Sequence, residues 1–263
     1  MKKILIFDLD GTIVVNSRID PKLRDLIKNL SQSHTVIFAS GRMFSSMDQL
    51  LKKNDLSGIE IAYNGSLIYF DGTFYKFCLD KVDTLSILNF LRKEKIHRQI
   101  YVDDLLYVEE ENEFSRAYSQ QAEIEYKVVQ NLDEVAKSGC IFKILAFDTS
   151  DKIDLTKTKA VKAIQQNADI FTSSKVYLEF VKKGVNKRSA VEFVSKKLNF
   201  SFKDTISFGD GENDSELLEK SGISFAMVPG NEKLRKVATY ITDNDDGMGA
   251  FRSLKYLESI GEI

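Results

Sequence analysis

The sequence predicts an α/β protein: a Rossmann-like parallel sheet with helices on both faces, interrupted by an inserted α+β domain. Three observations lead there. Short apolar runs alternate with helical periodicity near both ends of the 263-residue chain. The middle changes to hairpin-like patterning. Clusters of Asp, Gly and Ser stand where the apolar runs stop, and ligands of open α/β sheets bind at the carboxyl ends of strands.

Residues 3–7 (KILIF), 35–39 (TVIFA), 59–63 (IEIAY) and 205–208 (TISF) are short apolar runs of the kind that form buried strands. Asp20-Pro21 begins a helix, with a capping carboxylate followed by Pro at the first helical position. Leu23, Leu26, Ile27 and Leu30 then mark its buried face. A second amphipathic helix carries Met43, Phe44, Met47, Leu50 and Leu51. From about 80 to 183 the pattern differs. RQIYVDDLLYVEE (98–110) predicts two strands turning at Asp103-Asp104, and DIFTSSKVYLEFV (169–181) two more turning at Ser173-Ser174. Helical patterns at 81–94 and 151–166 and a strand at 141–147 complete the block. Residues 1–79 and 184–263 are therefore expected to form the core domain, and 80–183 an inserted domain.

Composition narrows the function. Lys plus Arg number 37 against 39 Asp plus Glu, a balance that predicts neither nucleic-acid binding nor an anionic membrane partner. The apolar stretch behind Lys2 and Lys3 ends at Asp8, too short for a secretory signal, and no other run approaches membrane-spanning length. Cys78 and Cys140 are too few for a disulfide framework and are expected as reduced, buried thiols of a cytoplasmic protein. With two histidines and no Cys pair at zinc spacing, any metal is expected on oxygen ligands, which favours Mg²⁺, Mn²⁺ or Ca²⁺.

The chemistry-bearing residues lie at three strand ends: Asp8 and Asp10, then Ser40-Gly41-Arg42, then the GDGEND run from Gly209 to Asp214. Residues i and i+2 of an extended strand share a face, so Asp8 and Asp10 can address one group if extension persists. Two carboxylates about 4 Å apart repel by roughly 4 kcal/mol at an effective dielectric near 20. Asp8, Asp10 and Asp210 together therefore call for a divalent cation, and Mg²⁺ suits a few carboxylates with open positions left over. Lys187, just inside a helix capped by Asn186, and Arg42 are the cations that could meet an anionic substrate. Backbone N–H groups near Gly11, Ser40 and Gly41 would add to a phosphate cradle. Asp214 either caps the helix beginning at Ser215, ligates the metal, or does both.

The segments IFDLDGTI, ASGR, GVNKRSA and SFGDGENDSELL resemble, in order, the four motifs of the haloacid dehalogenase superfamily phosphatases. The insertion, YNGS at 63–66 and the tail ITDNDDGMGA resemble its Cof-like, sugar-phosphatase-type branch. Ser40 stands where the family often has Thr, with the hydroxyl kept. The resemblance implies a Mg²⁺-dependent phosphomonoester hydrolase acting on a small phosphorylated metabolite such as a sugar phosphate. It makes Asp8 the nucleophile that becomes an aspartyl-phosphate and Asp10 the general acid and base. Ser40 donates to the phosphoryl group and Lys187 neutralises it. Asp210, Asp8, the backbone carbonyl of Asp10 and Asp214 serve the metal, while Gly41, Arg42, Asn64 and Asn213 serve phosphate or substrate. By the same resemblance the inserted domain 80–183 is the cap that would shape the leaving-group pocket, with Tyr101, Tyr107 and Glu179 either facing the cleft or packing. A phosphotransferase or phosphomutase is the alternative enzyme, and a phosphoacceptor or binding protein the alternative class. A monomer or weak dimer is expected.

Overall fold

The computed structural model describes residues 2–164 and 166–263, with the backbone alone for Gln121, Ser173 and Ser174. The chain runs β1 (Ile4–Phe7), α1 (Pro21–Leu30), β2 (Thr35–Ala39), α2 (Phe44–Lys53), β3 (Ile59–Ala62), β4 (Leu67–Phe70) and β5 (Thr73–Lys76). It continues through α3 (Lys81–Lys93), β6 (His97–Val102), β7 (Leu105–Val108), α4 (Glu113–Ala122), β8 (Tyr126–Val128) and α5 (Leu132–Ser138). Next come β9 (Ile141–Phe147), α6 (Ser150–Ile164), β10 (Ala168–Ser174) and β11 (Tyr177–Lys182). The last stretch holds α7 (Lys187–Leu198), β12 (Thr205–Gly209), α8 (Ser215–Lys220), β13 (Ile223–Val228), α9 (Leu234–Val237), β14 (Tyr240–Asp243) and α10 (Gly249–Ser259). Two compact units result: residues 1–74 with 186–263, and residues 75–185.

The first unit is built on an eight-stranded sheet in the order β14-β13-β12-β1-β2-β3-β4-β5. The six strands from β14 to β3 are parallel, and β4 joins β3 antiparallel. β1 lies between β2 and β12, so segments far apart in sequence end side by side. A row of rings crosses these strands. Phe7 stacks on Phe208 (4.9 Å between centroids), Phe208 on Phe225 (5.1 Å) and Phe225 on Tyr240 (5.0 Å), with Phe38 beyond Phe7 at 6.2 Å. Each such pair contributes about 0.5–1.5 kcal/mol beyond burial, and together they lock the register. Asp8, Ala39 and Gly209 each directly follow a ring of this row, so the register fixes where the functional loops leave the sheet.

Helix α1 starts as its sequence dictates. The Asp20 carboxylate accepts from the Lys22 N–H at 2.8 Å, Pro21 needs no donor there, and Leu23, Leu26, Ile27 and Leu30 are buried. Burying each of these side chains contributes roughly 2 kcal/mol. α1 packs with α10, and α7 with α8.

The second unit carries a six-stranded sheet, β10-β11-β9-β6-β7-β8, antiparallel except for the β7–β8 pair. Its core gathers Ile87, Leu88 and Leu91 of α3, Ile153 of α6, and Ile100, Ile144, Leu178 and Phe180 from the strands. The β6–β7 hairpin turns at Asp103 (φ +47°) and Asp104 (φ +65°), the left-handed pair that a two-residue turn between twisted strands requires. The β10–β11 turn falls instead at Lys175-Val176, because β10 shifts register after Thr172 and extends through Ser174. α4, α5 and the three-residue β8 were not among the expected elements, and β8 is too short to show a period. The expected helix at 151–166 is seen as α6, and Gln165 lies outside the described residues.

The cysteine expectation is overturned. Cys78 and Cys140 form a disulfide (Cα–Cα 5.2 Å), and both are half-buried. Their partnership follows from pairing that sequence spacing does not reveal: Leu79 N–H donates to the Ile141 carbonyl at 2.8 Å, placing the preceding residues side by side. The pair therefore gives no support to a reducing compartment. Among the described residues no helix is long and apolar enough to cross a membrane.

Candidate active site

β1 ends at Phe7, and Asp8 follows with its N–H bonded to the Phe208 carbonyl at 3.0 Å. Extension does not persist. The N–H groups of Thr12, Ile13 and Val14 all donate to the Leu9 carbonyl, curling the chain into a tight loop. Gly11 sits at φ +78°, and a Cβ there would lie 2.2 Å from the Asp210 Oδ2. Glycine therefore serves both the left-handed turn and the close approach of Asp210.

Asp8 is 6% exposed, and its Oδ1 accepts from Lys187 Nζ at 2.5 Å. Lys187 is fully buried and donates as well to Asp214 Oδ1 at 2.6 Å. It is the first residue of α7, and its position is fixed by a reciprocal cap. Asn186 accepts from the Ser189 N–H at 2.9 Å, while the Ser189 hydroxyl accepts from the Asn186 N–H at 2.9 Å. Asp210 follows β12, and the Thr12 hydroxyl donates to its Oδ1 at 3.3 Å. Carboxylate oxygens of Asp8, Asp210 and Asp214 all lie within 4.8 Å of one another.

Asp214 does not cap α8. Its Oδ2 turns back to accept from the N–H groups of Asp210 (3.2 Å) and Gly211 (3.0 Å). Gly209 leaves room for it; a Cβ there would lie 2.5 Å from the Asp214 carboxyl carbon. With one oxygen on Lys187 and the other on the loop, Asp214 holds the lysine and Asp210 in one arrangement.

Asp10 parts from Asp8. Because the loop curls, its carboxylate lies half in solvent and takes a two-pronged bond from Arg42, Nε to Oδ2 at 2.7 Å and Nη2 to Oδ1 at 2.6 Å. Its carboxylate thus stands outside the three-acid cluster. The Ser40 hydroxyl is buried and accepts from the Arg42 N–H at 3.1 Å. Gly41 abuts Asn64, whose Nδ2 would lie 3.2 Å from an added Cβ. Asn64 holds a left-handed conformation (φ +56°), donates its N–H to the Ser40 carbonyl at 2.9 Å, and accepts from Asn213 Nδ2 at 2.8 Å. The β2, β3 and β12 loops are thereby linked.

The electrostatics follow from this crowding. Burial above all, then the charges of Asp214 and Asp210, pushes the Asp8 carboxyl well above the usual carboxylate range against the pull of Lys187. Burial and then Asp214 push Asp210 up to about 6, opposed by Lys187, Asp8 and Thr12. Burial alone would lower Lys187, but its two carboxylate partners outweigh it and hold the ammonium above its ordinary value. Among the described residues, three acids thus face one buried cation, an all-oxygen set whose surplus negative charge a divalent ion complements.

Two residues of the neighbourhood were not singled out from sequence. Thr12 had a local signal, since it directly follows Asp10-Gly11. Asn244 lies in the tail ITDNDDGMGA, which stood out only by resemblance and with no role; it bonds the carbonyls of Gly11 and Thr12 from more than 230 positions away. In the second unit, Glu179 is buried with Lys143 at 3.3 Å, the Lys143 ammonium lies 4.7 Å from the centre of the buried Tyr101 ring, and Tyr107 packs on the core.

Acids at the ends of neighbouring parallel strands, joined by a helix-start lysine, define an α/β protein with a buried charged site suited to a divalent ion and an anionic ligand. The chain belongs to the haloacid dehalogenase-like hydrolases, whose family model matches residues 5–254, and within them to the Cof-like branch. Its relatives are phosphatases, and it is an enzyme of that kind. A Thermotoga maritima protein of known crystal structure is 31% identical, with 96% of this chain and 97% of that one covered and a TM-score of 0.86. The phosphoglycolate phosphatase of Methanosarcina mazei is 23% identical over 99% of both chains. A sugar phosphatase of haloacid dehalogenase subclass IIB shares the fold, with a TM-score of 0.81 and 21% identity over the full length of both.

Proposed function

We propose that this phosphatase is a Mg²⁺-dependent phosphomonoester hydrolase that works through an aspartyl-phosphate on Asp8, with a small phosphorylated metabolite, a sugar phosphate in the first instance, as substrate. The observation that carries this reading is the convergence of Asp8, Asp210, Asp214 and Lys187, from three separate segments, within hydrogen-bonding or ligand-sharing distance. Asp8 and Asp210, with the Asp10 backbone carbonyl, would hold the metal, and Asp214 would orient them through Lys187 and the 210–211 backbone. When bound, Mg²⁺ supplies neutralisation of the carboxylates and of phosphoryl negative charge.

In the first step an Asp8 oxygen attacks phosphorus while the ester oxygen departs and takes a proton from Asp10. In the second, Asp10 takes a proton from water as that water attacks the phosphorus of the aspartyl-phosphate, releasing inorganic phosphate and restoring Asp8. Lys187 holds the Asp8 carboxylate in place and offsets charge; Ser40 and backbone N–H groups near Gly41 receive the phosphoryl oxygens. Arg42 holds the Asp10 carboxylate in the substrate-free arrangement and has to release it, turning to the substrate, for Asp10 to carry the proton; Asn64 and Asn213 keep the surrounding loops in register. Selectivity among leaving groups is assigned to the inserted segment 80–183, acting in a cytoplasmic monomer or weak dimer. A panel of phosphorylated metabolites assayed for phosphate release with Mg²⁺ tests the reading. Asp8→Asn and EDTA should each remove turnover; full activity in either case would refute the mechanism.

A further inference from the structure

The tail motif ITDNDDGMGA has no part in the chemistry above, yet it holds a buried asparagine against the nucleophile loop. We infer that Asn244 is a positioning residue that sets the placement of Asp8 and Asp210, an inference that rests on the phosphatase reading.

Asn244 is 4% exposed and uses its whole amide. Its Nδ2 donates to the Gly11 carbonyl at 2.7 Å and to the Thr12 carbonyl at 3.0 Å. Its Oδ1 accepts from the Gly249 N–H at 2.8 Å, at the start of α10, and its own N–H donates to the Val228 carbonyl at 2.7 Å, at the end of β13. One side chain thus ties the loop after β1 to the frame formed by β13 and α10. The loop curls onto the Leu9 carbonyl, which leaves the Gly11 and Thr12 carbonyls pointing at Asn244 and not at a strand partner. Buried carbonyls of this kind need a donor.

The consequence reaches the acids directly. Gly11 lies against the Asp210 carboxylate, and the Thr12 hydroxyl donates to it. Moving these two residues moves the wall and the donor that fix Asp210, as well as the segment that carries Asp8. Neighbouring glycines keep the strap close: Gly247 (φ +74°) turns beside Val15, and a Cβ on Gly249 would lie 2.8 Å from Asn244 Oδ1. The Asn231 N–H holds the Asp210 carbonyl from the other side at 2.8 Å.

Asn244→Asp is the discriminating variant. It is isosteric and keeps an acceptor for Gly249, but it places a carboxylate oxygen against two carbonyls that need a donor. The full-length variant should remain folded by circular dichroism. Its amides in residues 11–14 should exchange with solvent faster than in the wild type. Against the metabolite hydrolysed best, kcat should fall roughly tenfold to a hundredfold with KM changed less than about threefold, as for a misplaced reacting group. Should this variant not fold, Asn244→Ser, which removes the amide donor and opens space instead of adding charge, takes its place with the same readouts. Unchanged exchange in residues 11–14, or faster exchange with unchanged kcat, would overturn the inference while leaving the phosphatase reading intact. A wild-type protein without turnover would refute the phosphatase reading and with it the catalytic role of Asn244; exchange would then report only on whether Asn244 holds the loop.

Discussion

Replacing Lys187 with Met would remove the buried ammonium that joins Asp8 to Asp214 while keeping most of the side-chain volume. Lys187 is fully buried, with its two carboxylate contacts at 2.5 and 2.6 Å, and Asp8 and Asp214 have almost no access to water. Deleting one partner of a buried ion pair costs about 3–5 kcal/mol because the other charge is stranded. Here two carboxylates are stranded, and the rise already imposed on Asp8 by burial shows that its own response would be to take up a proton. The deficit should be about 4 kcal/mol in urea denaturation of metal-free protein at pH 8. It should shrink toward pH 5, where protonation removes the stranded charge. Lys187 itself, raised above its ordinary value, keeps its charge through this window. Adding Mg²⁺ should recover part of the loss. A deficit below about 1 kcal/mol at pH 8, within the range of an ordinary surface substitution, would refute the view that this lysine neutralises a buried acid cluster.

Glu60 on β3 offers a separate pH test. Burial first, and the nearby Asp48 charge second, push its carboxyl up to about 7, with Lys52 opposing. A folded-state value above the unfolded one means that its stabilising contribution is complete below about pH 4.5 and is lost as pH rises to about 7. Discounted for residual solvent screening, that loss is about 2 kcal/mol, and Glu60→Gln should abolish it. Equal change in urea stability between pH 5 and 8 for both proteins would count against this. The Cys78–Cys140 bridge closes a 62-residue separation within the second unit, so Cys78→Ser with Cys140→Ser should lower that unit's stability by about 3 kcal/mol. Dithiothreitol should reproduce the effect on the wild type in thermal melts and leave the double variant unchanged; a wild-type melt indifferent to reductant would show that the bridge contributes nothing.

The loops of the site were legible because each announces itself locally. An apolar run that stops at Asp8, Ser40 or Asp210 reads as a strand end, and Asn186 before Lys187 reads as a helix start. Hairpins were legible where the turn chemistry is strong, as at Asp103-Asp104, and misplaced where it is weak, as at Ser173-Ser174. The even two-residue spacing of Asp8 and Asp10 predicted one shared face, but three N–H groups converge on the Leu9 carbonyl and send Asp10 to Arg42.

By itself, then, the sequence determined which residue types stand at the strand ends and that a segment between them would form its own sheet. Tertiary structure alone decided that Asp214 turns back to the 210–211 backbone, that Cys78 meets Cys140, and that Asn244 bonds the carbonyls of Gly11 and Thr12. The physical reason is the range of the forces involved. Hydrophobic periodicity and capping act between neighbours and leave a local imprint, whereas a hydrogen bond or a disulfide between distant segments depends on strand order and register, which no short stretch of sequence encodes.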